Sequence, residues 1–347
     1  MSVSADRTSL HQLSRLLDDG VLLVDRNQQI RMTNTAAIRF LGDNLVGRKL
    51  TDMLSYKDIA QEFNTCLETG GPVEFVSGTS RDHIRQFRVR MSLIDDETVA
   101  ILLMDMTLLH NLEKVRRDFV ANVSHELRSP LTSLIGFIET MQASPELDEA
   151  ARRRFLKIMD EESKRMSRLI NDLMSLSRVE TDEHIPPTDI IFVDSVARSV
   201  IASLADRAER AGCSVLFSDK RKTTTEGVRI QAETDEIMEV FHNLIDNAIK
   251  YGHKGCDVIV RMAEDGNGMV VFDIVNIGDG IPEKYIPRLT ERFFRVDKGR
   301  SRQMGGTGLG LAIVKHIINR HRGYLDITSV PGGETVFSVA LPLVVTD

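Results

Sequence analysis

One histidine stands in the middle of FVANVSHELRSPLTSLIGFIET, a segment that otherwise predicts a long amphipathic helix. His125 lies opposite the apolar stripe of this helix, so its imidazole is expected to face water. Glu126 can hydrogen-bond one ring nitrogen and leave the lone pair of the other outward as a nucleophile. Ser129 brings a hydroxyl to the same face one turn later, and Pro130 is expected to bend the helix. Together these residues favour covalent catalysis at His125. Taken alone, His125 could be an ordinary surface histidine and Pro130 a tolerated kink.

A second helical segment, EVFHNLIDNAIKYG, carries polar residues at the spacing of one helix face. The residues at i, i+3, i+4 and i+7 are Asn243, Asp246, Asn247 and Lys250. Amide oxygens suit the hard cation Mg²⁺, and a lysine suits the charge of a phosphate. The alternative is a solvated face, but such a face normally contains Glu and Lys rather than two Asn. The segment therefore predicts a site for a metal-bound phosphate.

Two glycine-rich stretches, NIGDGIP and GGTGLGLAIV, follow later in the chain. In the second, Gly306, Gly308 and Gly310 lead into a predicted helix, so bare backbone amides and the helix N-terminus are available to a polyphosphate. The stretch lacks the Gly-Lys-Ser/Thr end of a Walker loop, and no strand directly precedes it as a dinucleotide-binding motif requires. The intervening segment ERFFRVDKGRSRQMGG predicts a mobile lid anchored by Phe293 and Phe294.

The composition of the 347-residue chain narrows the classes of function. With 42% hydrophobic and 27% charged residues the chain is typical of a folded protein, and its formal net charge of −7 argues against nucleic acid as a partner. The three cysteines, Cys66, Cys213 and Cys256, are too far apart for a short metal-ligand motif and suit a reducing compartment as small apolar side chains. The longest apolar run, TVAILLMDM, is much shorter than a membrane span. We expect a cytoplasmic chain with no membrane segment of its own, either free or held at a membrane by a partner or by a segment outside it.

Changes of periodicity divide the chain into domains. Short apolar runs with turn residues predict a small α+β domain, which starts with the strand, turn and strand of GVLLVDRNQQIRMTN and a short helix ending at Gly42. Two long runs at helical spacing predict an antiparallel helical hairpin, whose open seams would be buried in a dimeric four-helix bundle. Paired prolines in VETDEHIPPTD indicate a linker, and the mixed helices and strands after it predict an α/β sandwich. The predicted divisions are 1–107, 108–182, 183–189 and 190–347.

Two parts of the sequence resemble known families. The phrases LLVDRNQQIRMTNTAAIRFLG and LLMDMT resemble a PAS sensor domain. The motifs SHELRSPL, NLIDNAIKYG, NIGDGIP, RFFRVD and GGTGLGLAIV resemble the phosphoacceptor box, N box, first glycine box, F box and second glycine box of the sensor histidine kinases, in that order. With the PAS-like start and RRDFVANVSHELRSPL, the chain is most similar to the phosphate-sensing PhoR branch. The resemblance implies an α+β multidomain fold: a PAS sensor domain, a helical hairpin that forms a dimeric four-helix bundle, and an ATP-binding α/β sandwich of the GHKL type.

The resemblance also implies an activity and a role for each site residue. The chain would be a homodimeric, ATP-dependent protein-histidine kinase in which His125 receives the γ-phosphoryl group and passes it to an aspartate on the receiver domain of a response regulator. Glu126 would orient His125 and assist its deprotonation, and Ser129 would help to place the water that dephosphorylates the regulator. Asn247 would bind Mg²⁺ and Tyr251 would lie near the adenine. The implied nucleotide-binding residues are Asn243, Asn247, Lys250, Tyr251, Asn276, Gly278, Gly280, Phe293, Gly306, Thr307, Gly308, Leu309 and Gly310.

The sequence departs from the family pattern at Asn276, where the first glycine box usually begins with Asp. An amide oxygen can still accept the hydrogen bond of the adenine amino group, but the negative charge is absent. A degenerate kinase that serves as a signalling scaffold is therefore one alternative, and Asn276 is its only support. A GHKL ATPase of the chaperone or repair kind is another, but it leaves SHELRSPL unexplained.

Overall fold

The computed structural model describes residues 17–55, 59–79, 85–144, 146–221, 227–297 and 306–344. The chain falls into two compact units, Met1–Ala121 and Asn122–Asp347. Within the described ranges, no helix combines the length and the apolar composition that a bilayer crossing requires.

The first unit contains, in its described part, an antiparallel sheet of six strands. Its elements are β1 (Gly20–Asp25), β2 (Ile30–Thr33), α1 (Thr35–Leu41), a 3₁₀ turn (Leu50–Asp52), β3 (Leu54–Ser55), α2 (Ile59–Thr69), β4 (Val73–Thr79), β5 (Gln86–Asp95) and β6 (Thr98–Asp105). The strand order is β2-β1-β6-β5-β4-β3. Buried side chains alternate along the strands, as in β6, where Val99, Ile101 and Leu103 are fully buried. The predicted strand, turn, strand and short helix are confirmed by the β1–β2 hairpin and by α1, whose C-cap is Gly42.

Asn34 shows why α1 begins where it does. Its side-chain oxygen accepts hydrogen bonds from the backbone N–H groups of Ala37 and Val21, both at 2.9 Å, and so caps the helix and ties it to β1. Cys66 on α2 is fully buried in the same core, which confirms its prediction as a small apolar side chain.

Two long helices carry the histidine segment and the second apolar run: α3 (Thr107–Ala143) and α4 (Glu149–Asp182). Helix α3 continues through Pro130, and Asp148 caps α4 by accepting a hydrogen bond from the backbone N–H of Ala151 at 2.5 Å. The rings of Phe137 and Phe155 pack with centroids 5.1 Å apart, which confirms the predicted antiparallel hairpin. One chain leaves part of the seam uncovered, since several large apolar side chains are exposed: Leu131, Ile135, Ile138, Leu156, Ile170 and Met174.

The rest of the second unit is a sandwich of helices on a mixed sheet. Its elements are β7 (Ile190–Phe192), α5 (Val193–Ala211), β8 (Val215–Asp219), β9 (Arg229–Gln231), α6 (Thr234–Tyr251), β10 (Val258–Glu264), β11 (Met269–Ile277), a 3₁₀ helix (Glu283–Arg288), α7 (Gly310–Arg320), β12 (Tyr324–Ser329) and β13 (Glu334–Pro342). The larger sheet has the order β12-β13-β11-β10-β8, with β8 parallel to β10, and β7 pairs with β9. Phe241 of α6 packs edge-on against Phe272 of β11, with centroids 4.9 Å apart, in the core between the layers. The predicted α/β sandwich is confirmed.

Candidate active site

A cavity of about 500 Å³ opens between α6, the end of β11, the start of α7 and one side of α4. Its walls collect polar groups from segments that are far apart in sequence. The predicted nucleotide-binding residues that line it are Asn243, Asn247, Lys250, Tyr251, Asn276, Gly280, Gly306, Thr307, Gly308 and Gly310. The fold therefore brings the predicted N box and both glycine-rich stretches to one place.

Gly278, Phe293 and Leu309 support the wall of this cavity without belonging to its lining. A Cβ at Gly278 would lie 2.5 Å from the carbonyl oxygen of Tyr251, so glycine allows the chain after β11 to approach the end of α6. The backbone N–H of Phe293 donates to the carbonyl oxygen of Gly308 at 2.8 Å, and Leu309 is fully buried. These residues fix the shape of the two glycine-rich stretches.

Asn243 is held against the start of α7. Its Nδ2 donates to the carbonyl oxygen of Glu239 at 3.0 Å. A Cβ at Gly310 would lie only 2.5 Å from Oδ1 of Asn243, so glycine is needed at this position for the amide to stay where it is. The amide oxygen of Asn243 is thereby directed toward the glycine-rich stretch.

Lys250 is fixed in the cavity wall by Asp246. Its Nζ lies 2.6 Å from one carboxylate oxygen of Asp246, and Nε of Arg207 lies 2.6 Å from the other. Asp246 is buried, and two cations compensate the cost of removing its carboxylate from water. The three groups together carry one net positive charge, which suits an anionic ligand.

The start of α7 offers further groups for an anion. The first N–H groups of a helix have no partner within it, and α7 begins at Gly310, beside the cavity. Gly308 has a φ of +78°, in the left-handed region, and a Cβ there would lie 3.0 Å from Cα of Phe293. Glycine therefore allows the backbone to turn into the helix at this point. With Lys250 in the same cavity, the arrangement suits a polyphosphate.

The predicted lid lies only partly within the described residues. Residues 298–305 fall outside them, while Phe294 lines the cavity and Phe293 has a φ of +62°. The guanidinium of Arg288 lies 4.4 Å from the ring centroid of Phe294, and the ring of Tyr285 packs beside it at 6.0 Å. Phe294 is thus anchored at the edge of the cavity, as the sequence predicts.

The histidine segment lies next to this cavity. His125 and Ser129 are exposed on α3, which confirms the predicted water-facing side. Glu126 is ion-paired with Arg165 of α4, with Nη2 and Oε2 2.7 Å apart, and both side chains are largely buried. Nη2 of Arg295, a cavity residue, lies 3.8 Å from the same oxygen of Glu126. Sequence reasoning missed both arginines, although RFFRVD contains Arg295.

Arg295 joins the cavity to the histidine segment. The same Nη2 that faces Glu126 also donates a hydrogen bond to the carbonyl oxygen of Gly306 in the glycine-rich stretch. Its side chain is only 7% exposed, so this bridge is shielded from solvent. A group bound at the glycine-rich stretch would therefore lie close to the residue that follows His125.

Helix α4 closes the remaining side of the cavity with carboxylate contacts that the sequence did not predict. Thr307 donates its hydroxyl to Asp172 at 2.6 Å, and Ser175 donates to Glu239 of α6 at 2.6 Å. Burial raises the pKa of both Asp172 and Glu239. The apolar periodicity of α4 predicted a bundle helix only, and its polar side packs on the cavity.

Asn276 is a further buried polar group in the cavity wall. It lies near the end of β11, paired in register with Thr335 of β13, and both side chains are buried. The amide carries no charge, so its burial costs less than that of the aspartate usual in this motif. Asn276 can present a hydrogen-bond acceptor to a base without a cationic partner.

These features define a class of protein. A cavity with anion-binding groups, joined by Arg295 to a helix that exposes His125, suits a phosphotransferase with a histidine acceptor. Comparison with known families agrees. The family described as histidine kinase-, DNA gyrase B- and HSP90-like ATPase matches residues 232–345, and the His Kinase A (phospho-acceptor) domain matches residues 115–182.

Individual relatives support the same assignment. The sensor protein kinase WalK of Staphylococcus haemolyticus is 33% identical over 356 residues, covering 100% of this chain and 57% of that protein. The phosphate regulon sensor protein PhoR of Pseudomonas aeruginosa is 33% identical over 334 residues, covering 95% of this chain and 73% of that protein. The histidine kinase ThkA, solved in complex with the response regulator protein TrrA, has a similar fold with a TM-score of 0.52 and 21% identity, covering 93% of this chain and 95% of that chain. The chain belongs to the sensor histidine kinases, and it spans little more than half the length of the WalK relative.

Proposed function

We propose that this chain is an ATP-dependent protein-histidine kinase. The bond between the γ-phosphorus and the bridging oxygen of ATP breaks, a phosphorus–nitrogen bond forms at a ring nitrogen of His125, and ADP leaves. The phosphoryl group then passes to an aspartate carboxylate of a response regulator, which restores the imidazole. The observation that carries the proposal is the bridge of Arg295 between Gly306 at the cavity and Glu126 beside His125.

Different cavity residues bind different parts of ATP. Lys250 and the amides at the start of α7 bind the phosphates, and Tyr251 and Asn276 face the adenine. Asn247 would supply an amide oxygen to Mg²⁺, and the ion would neutralise phosphate charge when it is bound with ATP. Among the described residues no group of three or more His, Cys, Asp or Glu side chains is arranged for a metal.

Glu126 acts on His125 as a positioning residue. It follows His125 directly on the same helix, and Nη2 of Arg165 lies 2.7 Å from its Oε2. From there the carboxylate can orient the imidazole and assist the loss of its proton when the phosphoryl group arrives. Arg295 approaches the same carboxylate, and through it the loss of the proton from His125 is coupled to the presence of ATP in the cavity.

We propose that the kinase is a homodimer. Leu131, Ile138 and Ile170 are 48%, 40% and 46% exposed in one chain, although they belong to the predicted seams. A second copy of the hairpin would bury them in a four-helix bundle. The proposed division is a sensor domain at 1–107, this hairpin at 108–182, a linker at 183–189 and the ATP-binding domain at 190–347.

The proposed sensor is a PAS domain, supported by the six-stranded antiparallel sheet and its two short helices. The same identity of 33% to a WalK and to a PhoR supports both as relatives, so the PhoR branch stays a prediction from the sequence. The proposed partner is the receiver domain of a cognate regulator, and the ThkA relative was solved with a response regulator.

Ser129 is proposed to serve the reverse reaction. Its exposed hydroxyl lies one turn after His125 and can align a water against a docked phosphorylated regulator. Ser129→Ala should slow the loss of phosphate from the regulator and leave labelling of His125 from ATP unchanged. Equal losses in both reactions would contradict this role.

Nucleotide binding is tested by Asn247→Asp. The change keeps the shape of the side chain and adds a negative charge beside the phosphates, so the affinity for Mg-ATP should fall by about tenfold or more. Asn267→Asp, on an exposed turn outside the cavity, is the matched control and should bind as the parent chain does. Titration calorimetry measures both, and unchanged binding by the Asn247 variant would remove this residue from the site.

A further inference from the structure

Asp172 is an anion from the bundle helix α4 that lies among the groups proposed to bind phosphate. Its Oδ2 accepts the hydroxyl proton of Thr307 at 2.6 Å, and Thr307 belongs to the glycine-rich stretch that opens α7. Asp172 also lines the cavity itself. Close by on α4, the Ser175 hydroxyl donates to Glu239 at 2.6 Å, which fixes α4 on this side of the cavity.

The basic side chains around Asp172 are ones that could also bind a phosphate. The pKa of this carboxyl is raised, and burial is the largest cause. The hydrogen bond from Thr307 and the positive charges of Lys250, Arg168 and His242 lower it by less. Arg168 and His242 line the same cavity as Lys250. The carboxyl group is thus largely buried, hydrogen-bonded by a hydroxyl and placed in the same cavity as these basic side chains.

We propose that Asp172 competes with the terminal phosphates of ATP for this part of the cavity. The inference rests on the proposed function, since it takes ATP as the ligand. A carboxylate and a phosphate are both anions, and two of them on the same donors repel each other strongly in a partly desolvated site. ATP binding and the contact between Asp172 and Thr307 therefore exclude each other, and the arriving phosphates displace the Asp172 carboxylate from Thr307.

This competition gives α4 a regulatory role beyond the bundle. While the contact is made, the domain that holds ATP is tied to the helix that packs beside α3, and the affinity for ATP is reduced. When ATP binds, the tie at Thr307 is lost and the ATP-binding domain is freer to bring its ligand to His125. Nucleotide occupancy and the loss of this contact are thus coupled through Asp172.

The test is Asp172→Asn, which keeps a hydrogen-bond acceptor for Thr307 and removes the charge. ATP should bind about tenfold more tightly to the variant in calorimetric titrations, both with EDTA and with Mg²⁺, because the repulsion is gone. Adenosine, which has no phosphates, should bind both chains equally. Asp160→Asn is the matched control, since Asp160 lies exposed on the same helix and pairs with Lys164 at 2.6 Å. Its affinity for ATP should match that of the parent chain.

Three results would overturn the inference. They are equal ATP affinity in the parent chain and the Asp172→Asn variant, an equal gain for adenosine, and weaker Mg-ATP binding, which would make Asp172 a metal ligand. Asp172→Ala, which removes charge and acceptor together, should show the same gain and repeats the test should the first variant fail to fold. If ATP binds to neither chain, the proposed function itself is wrong, so the two failures are distinguishable.

Discussion

Gly280→Ala should damage both the stability and the ligand cavity of the ATP-binding domain. Gly280 has a φ of +75°, and a Cβ there would lie 2.5 Å from the carbonyl oxygen of Val330 and 2.6 Å from Cα of Pro331. The left-handed conformation costs an alanine about 1–2 kcal/mol. The backbone of Val330 and Pro331 must also shift, which in a packed site costs about 1–3 kcal/mol more. The expected loss of unfolding free energy is about 2–5 kcal/mol.

Gly332→Ala is the matched control for this change. Gly332 has a φ of +71° in the β12–β13 turn, next to Val330 and Pro331, yet nothing lies within 4 Å of the position its Cβ would take. It should lose only the conformational part, about 1–2 kcal/mol. Urea unfolding followed by circular dichroism gives both values, and ATP affinity should fall only for Gly280→Ala, which lines the cavity. Equal losses of stability in the two variants would refute the reasoning.

Two further predictions concern the dimer and the response to pH. Leu131→Glu should give monomers in sedimentation experiments, because burying an unpaired charge at the seam costs several kcal/mol, while Thr132→Glu on the exposed side should stay dimeric. A dimeric Leu131 variant would contradict the bundle. Burial lowers the pKa of His321 below 6.5, so the unfolded chain takes up a proton first and thermal stability should fall as pH drops below that value. His321→Gln should lose less stability over this interval, and an equal slope would assign the loss to other groups.

The sequence predicted most of the fold because its periodicity is strong. Helices α3, α4, α6 and α7 and strands β10 to β13 follow from apolar spacing and from glycines at their ends. The pair of three-residue strands β7 and β9 was not predicted from the sequence, and neither was the parallel pairing of β8 with β10. Strands that short carry little alternation, and a parallel pairing joins segments separated by a whole helix, so neither leaves a local pattern.

The candidate site was predicted in part for the same reason. Residues in the N box and the glycine-rich stretches follow from spacing, and most of them line the cavity. Arg295, Arg165 and Asp172 depend on contacts between helices and loops that are far apart in sequence, at 3.8, 2.7 and 2.6 Å. A charged residue on a helix looks like an ordinary surface group until the tertiary contact is known.

The structure also bears on the alternative of a degenerate kinase. Its support is the loss of charge at Asn276, yet this amide is buried at the cavity and keeps an acceptor there. A binding-only protein would have no need for the bridge of Arg295 from the cavity to Glu126. An active kinase and a degenerate one are therefore distinguished by whether they transfer phosphate, since both would have this fold.

Labelling with ATP that carries a radioactive γ-phosphate tests the central claim most directly. The parent chain should incorporate label that is lost in acid and survives base, as a phosphorus–nitrogen bond to an imidazole requires. His125→Gln should incorporate none, while calorimetry shows ATP bound with unchanged affinity because His125 lies outside the cavity lining. Label that persists on the variant, or label on the parent chain that survives acid, would contradict the assignment of His125 as the phosphoryl acceptor.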